Sequence, residues 1–91
     1  MDEQRLDGNA AGGILGEVFA FEMTTARAAC VHCGASGEVG AQMAYVSEIG
    51  TVVRCAACEG ILIRVVHQEG SRGRYFLDLR GVEYLQLVER P

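Results

Sequence analysis

Four cysteines, Cys30, Cys33, Cys55 and Cys58, stand as two C-x-x-C pairs with 21 residues between them. Thiols in that pattern can hold a metal, cycle between dithiol and disulfide, or form structural disulfides. A tight turn carrying C-x-x-C offers two sulfurs with a bite that suits one tetrahedral ion. Two such turns at the ends of two hairpins close a cage. The spacing therefore predicts one structural zinc held by Cys30, Cys33, Cys55 and Cys58. The residue after the second cysteine of such a turn often needs a left-handed backbone, which glycine adopts without strain. Gly34 fills that place in the first pair, whereas Glu59 fills it in the second, with Gly60 one position later. That departure predicts a slightly different second turn.

Other chemistries fit less well. Iron can occupy the same thiolate set, as in rubredoxins, but the chain lacks tryptophan and proline-rich turns. Thiol redox chemistry needs a C-x-x-C that opens a helix, where the dipole lowers the thiol pKa. Here "ILIRVV" after Cys58 reads as strand. Hydrolytic zinc needs an open coordination position, which four thiolates deny. No H-E-x-x-H, G-x-S-x-G or P-loop pattern occurs, so no enzymatic activity is expected. His32 reads as a solvent-facing filler inside the first pair. His67 reads as a partly buried strand-end residue on the side of Ile63 and Val65.

These thiols must be positioned by a small chain. Ninety-one residues make one domain with a modest core, and such domains often need a staple. Residues 1–8 look frayed, and Asp7 or Asn9 can cap the start of a helix. In residues 9–21, Ala11, Ile14, Leu15, Val18 and Phe19 form one apolar stripe at helical spacing. Gly12, Gly13 and Gly16 each weaken that helix by up to about 1 kcal/mol, so packing must hold it, on a face of its own sheet before a docking partner. "TTARAAC" reads as a short extended run and "GASGEVG" as a loop. "AQMAYVS" and "TVVRC", joined by "EIG", read as a hairpin delivering Cys55. "ILIRVVHQ" is the strongest strand, with Ile61, Ile63 and Val65 on one face and Arg64 on the other. "EGSRG" reads as a turn. "RYFLDLR" reads as the next strand, with Tyr75, Leu77 and Leu79 inward. "VEYLQLVER" fits a last strand or a short helix.

The expected architecture is a small α+β domain: a zinc-ribbon-like antiparallel β-sheet of about five strands with an N-terminal amphipathic helix. Its expected parts within residues 1–91 are a flexible 1–8, a helix at 9–21, a zinc-binding hairpin at 30–60 and C-terminal strands at 61–90.

The motifs CVHCG and CAACEG resemble those of zinc ribbons at large. The fuller arrangement resembles a bacterial family of unknown function. Its members combine an "LDGN" segment with an amphipathic helix, a C-x-x-C-G, a second C-x-x-C and a "DLRG"-like end. Here these are Leu6–Asn9, Cys30–Gly34, Cys55–Cys58 and Asp78–Gly81. The resemblance spans nearly the whole chain, and it implies a metal-bound fold and no particular activity.

Charge narrows the partners. All eight basic residues are arginine, as expected of a GC-rich bacterial genome, and the formal net charge is −4. Residues 1–50 carry two arginines against seven acids, and residues 51–91 six against five. A four-thiolate zinc site would add roughly −2. Binding of nucleic acid by bulk charge is thus disfavoured. Arg54 and Arg64 flank the second cysteine pair, and Arg72, Arg74 and Arg80 lie on the next turn and strand. Arg54, Arg64, Arg74 and Arg80 could share a face and meet phosphate or an acidic partner. The interleaved Glu69 and Asp78 favour instead a solvated face with cross-strand pairs. No apolar run approaches the length of a membrane helix, and the start "MDEQRLDGN" is not that of a signal peptide, so a cytoplasmic location with reduced thiols is expected. The expected role is a non-catalytic binding module, for a protein before nucleic acid. An edge strand or an oversized helix stripe could also make a homodimer.

Overall fold

The computed structural model describes residues 4–19, 21–68 and 74–89. Eight short strands and one short helix build two antiparallel sheets, a small α+β arrangement as expected. The larger sheet has the order β1-β4-β5-β6-β7, from Gln4–Asp7, Met43–Val46, Gly50–Arg54, Ile61–Gln68 and Arg74–Asp78. The smaller has the order β3-β2-β8, from Ser36–Glu38, Arg27–Cys30 and Val82–Gln86.

The inner face of the larger sheet follows from alternation. In β5, Thr51 and Val53 are buried while Gly50, Val52 and Arg54 are half-buried, the period-2 pattern of a sheet with one covered face. β6 adds Ile63 and Val65, each contributing about 1.5–3 kcal/mol by leaving water. Leu62 breaks the alternation and is buried too, because it lies against the smaller sheet, in a cleft shared with Ala28, Cys30 and Cys55.

The apolar stripe near the N-terminus does face the core. Ala11 and Leu15 are fully buried, and Ile14, Val18 and Phe19 pack around them. The helix itself is shorter than 9–21. Asp7 accepts the Asn9 N–H at 3.0 Å and opens a 3-10 turn over Gly8–Ala11. The α-helix α1 then runs over Gly12–Val18 and ends where Phe19 turns extended. Ala20 lies outside the described residues. The Tyr75 hydroxyl donates to the Glu17 carboxylate and ties α1 to β7; that acceptor also pushes the Tyr75 phenol pKa up.

Several expectations give way. Within the segment expected to be frayed, Gln4–Asp7 pairs with Val46–Met43 as β1. "GASGEVG" contains β3, paired with β2. The segment between the cysteine pairs is therefore not one hairpin. It holds β3, a 3-10 turn at Val39–Ala41, and the expected β4–β5 hairpin. Of the two readings of "VEYLQLVER", strand holds: Val82–Gln86 is β8, paired with β2. His67 is exposed, its ring stacked on Tyr75 at 4.6 Å. The expected turn at "EGSRG" lies outside the described residues.

Two glycines mark where backbones touch. A Cβ on Gly8 would fall 1.8 Å from the Val39 carbonyl oxygen, and one on Gly81 would fall 1.7 Å from that of Ile61. Gly81 lies where the chain leaves the larger sheet for the smaller, and its carbonyl accepts the Val31 N–H at 3.0 Å. Gly81→Ala should therefore force β6 and the β7–β8 crossing apart. A loss of about 3 kcal/mol is expected in urea unfolding, with the m-value unchanged.

Candidate metal centre

Each cysteine pair sits on a turn between two antiparallel strands. The first joins β2 to β3 in the smaller sheet, and the second joins β5 to β6 in the larger. The register slips just before each turn, between Ala29 and Cys30 in β2–β8 and between Val53 and Arg54 in β5–β6. The extra residue lies on the partner strand each time, Glu83 in β8 and Leu62 in β6, where such a bulge bends the strand.

The two turns match bond for bond. Gly34 N–H donates to the Cys30 carbonyl at 2.9 Å, and Glu59 N–H to that of Cys55 at 2.8 Å. Cys30 N–H donates to Ala35 O, and Cys55 N–H to Gly60 O, both at 2.8 Å. Gly34 has φ 81° and Glu59 has φ 65°. The second turn is therefore not a different geometry. Glu59 takes the left-handed conformation that Gly34 takes in the first, at the cost a side chain incurs there. Arg54 braces it by donating to the Glu59 carbonyl at 2.9 Å.

These turns bring all four sulfurs within 4.8 Å of one another. Cys30 and Cys55 are buried, and Cys33 and Cys58 exposed. Across the two turns, Cys30 Sγ lies 3.7 Å from Cys58 Sγ, and Cys33 Sγ 3.7 Å from Cys55 Sγ. A tetrahedral ion with metal–sulfur bonds near 2.3 Å needs sulfur separations of roughly 3.8 Å. A disulfide would need about 2.05 Å. Backbone N–H groups already point at the sulfurs: His32 to Cys30 at 3.3 Å, Ala57 to Cys55 and Gly60 to Cys58 at 3.4 Å. Donors aimed at sulfur favour thiolate over thiol.

The two resolved thiols of the cluster are shifted in opposite directions. Burial opposes ionisation of Cys30, yet the Cys33 and His32 N–H groups and the neighbouring thiols bring its pKa down to about 7. At Cys58 the Gly60 N–H favours the thiolate, but desolvation and the Cys30, Cys33 and Cys55 sulfurs outweigh it and push the pKa up to about 12. One proton leaves easily and another is withheld. A cation among the sulfurs would favour the thiolate at both Cys30 and Cys58.

The supporting residues were harder to read from the sequence. Gln42 accepts the Ala56 N–H of the second turn through Oε1 at 2.9 Å and donates to the Glu38 carbonyl at 3.0 Å, linking that turn to β3. No local motif announces it. His32 is exposed, as expected of a filler. Arg54, Arg64 and Arg74 lie on strands of the larger sheet and Arg80 just beyond it, whereas Arg27 lies on β2 of the smaller; Arg72 is outside the described residues. Arg64 and Arg80 both donate to Asp78 Oδ2, at 2.8 and 2.7 Å. Arg80 and then Arg64 hold the Asp78 carboxyl well below the usual carboxylate range. This cross-strand pair is the one the interleaved acids suggested. Arg74 is exposed on β7. Among the described residues no helix is long and apolar enough to cross a membrane.

A family model described as a family of unknown function (DUF6510) matches residues 2–90. No curated protein and no solved structure matches the chain.

The paired φ values give a contrast. Gly34→Ala places a Cβ in open space but in a strained conformation, so about 1 kcal/mol should be lost. Glu59→Gly relieves the same strain and keeps the carbonyl that Arg54 grips, so it should be neutral or stabilising by up to about 1 kcal/mol. Thermal unfolding of both variants with metal bound checks the pair.

Proposed function

Since the chain belongs to this family, whose description assigns no activity, we propose from the site outward that it is a non-catalytic binding module built on one structural zinc. The observation that carries the reading is the tetrahedral spacing of four cysteine sulfurs, each turn sending backbone N–H groups toward them. Four thiolates complete the coordination shell, which leaves the metal a structural task. Zinc is preferred to iron because the turns lack the proline-rich sequence of rubredoxins. A reducing compartment, the cytoplasm, suits thiols kept as ligands. The partner is a protein before nucleic acid, on the charge argument: −4 for the chain, before the roughly −2 of the centre.

Structural zinc contributes on the order of 10–16 kcal/mol, as much as or more than the net stability of a small domain. Chelation under reducing conditions should therefore abolish the strand signal in circular dichroism, and one equivalent of zinc should restore it. A fold that survives metal removal would deny the centre its structural role. Cross-linking of tagged protein in its own cells should capture a reproducible protein partner, lost on Cys55→Ser. No such partner, together with turnover of some substrate, would overturn the binding-module reading.

A further inference from the structure

The larger sheet has one face in the core and one face outside. Opposed residues in neighbouring antiparallel strands share a side, so the register places Tyr45, Val52, Arg64 and Asp78 in one row across β4 to β7. Val66 and Phe76 oppose each other in a parallel row of the same face. None of these six is fully buried, and Phe76 is 45% exposed. Ile49, 61% exposed, stands at the rim in the β4–β5 turn.

Cations frame this apolar middle. The Arg54 guanidinium lies 5.5 Å from the Tyr45 ring centroid, and that of Arg64 6.0 Å from the Phe76 centroid. Arg74 alternates with Phe76 along β7 and so shares its face. At the metal end, Arg64 and Arg80 flank a cleft of about 380 Å³ that His32 and Asp78 also line. The acids at described strand positions of this face are committed: Asp78 is bridged by two arginines, and Asp7 caps the Asn9 N–H. Four arginines, Arg54, Arg64, Arg74 and Arg80, thus stand against two carboxylates, Asp7 and Asp78, in a chain of net charge −4.

Tyrosine, phenylalanine, valine and arginine, with carboxylates absorbed, make the composition of a protein interface core. Charge selects among the occupants. A second copy presenting the same face would set arginine against arginine. A phosphate polymer would meet the repulsion of the whole acidic chain. We propose that the outer face of β4–β7 docks a protein segment whose aromatic or aliphatic centre is flanked by carboxylates. The apolar centre covers Val52, Val66 and Phe76, and its carboxylates take the donors that Arg54, Arg64, Arg74 and Arg80 leave open. This rests on the binding-module reading and names the surface and chemistry of its partner.

The test selects a displayed library of short random peptides on the zinc-loaded domain. Enriched peptides should carry at least two acids around an aromatic or aliphatic residue. Synthesised and labelled, they should bind about tenfold more weakly to Phe76→Ala and to Arg74→Glu, and equally well to Tyr84→Ala, whose side chain is exposed on β8. Phe76 and Arg74 are exposed, so both variants should unfold at the parental temperature, and that is checked first. Bound peptide should shift amide resonances of β4–β7. No enrichment, enrichment without acidic bias, or shifts confined to the smaller sheet would overturn the proposal. So would tighter binding of a labelled oligothymidylate, which points to nucleic acid, or dimerisation lost on Phe76→Ala, which points to a second copy. A cross-linked cellular partner alongside any of these negative results would place docking elsewhere and leave the binding-module reading standing.

Discussion

Four sulfurs meet where a turn of one sheet faces a turn of the other, and much of the fold is arranged around that. One cysteine turn belongs to the smaller sheet and the other to the larger, so the cage joins them as a bolt joins two plates. The core beneath is thin. Ala11, Ala26, Ala28, Ala29 and Ala44 are among its buried members, and alanine buries little apolar area. Other links between the sheets are the shared core cluster, Leu62 beside both turns, the Gln42 bridge to β3, and the crossing at Gly81, which grips the first turn through Val31. A metal that draws four thiolates together adds what such a core lacks.

The turns show how one constraint is met by two sequences. Both need a left-handed residue after the second cysteine. Glycine provides it in the first, and in the second Glu59 accepts it while Arg54 holds its carbonyl. Sequence reading treats the missing glycine as a change of geometry. Hydrogen bonding keeps the geometry and transfers the cost to one strained residue.

The grouping of the four cysteines, the β4–β5 hairpin, β6, β7 and the apolar stripe of the helix were legible because each depends on local pattern: cysteine spacing, turn residues, or period 2 or 3.6. The misses share a different cause. β1 is a polar edge strand whose existence rests on β4, some forty residues away. β3 is three small or polar residues defined only by pairing with β2. His67 lies near the exposed end of β6, where period 2 no longer decides burial and Tyr75 offers a ring to stack on. The "LDGN" and "DLRG" segments prove structural: one places the Asp7 cap and the Gly8 contact, the other the Asp78 arginine bridge and the Gly81 crossing.

In the function proposed above, the four-cysteine cluster closed around a metal would fix the strands, and the arginine-framed sheet face is what those strands present. The proposal for that face presupposes a metal of the kind that four thiolates close around. X-ray absorption at the metal edge, on protein purified without added metal and with its thiols counted, tests this most directly. A zinc edge with four sulfur scatterers near 2.3 Å, about one metal per chain and no reactive thiols is the expected result. Iron, nitrogen or oxygen in the first shell, or metal-free protein with reactive or oxidised thiols would contradict it.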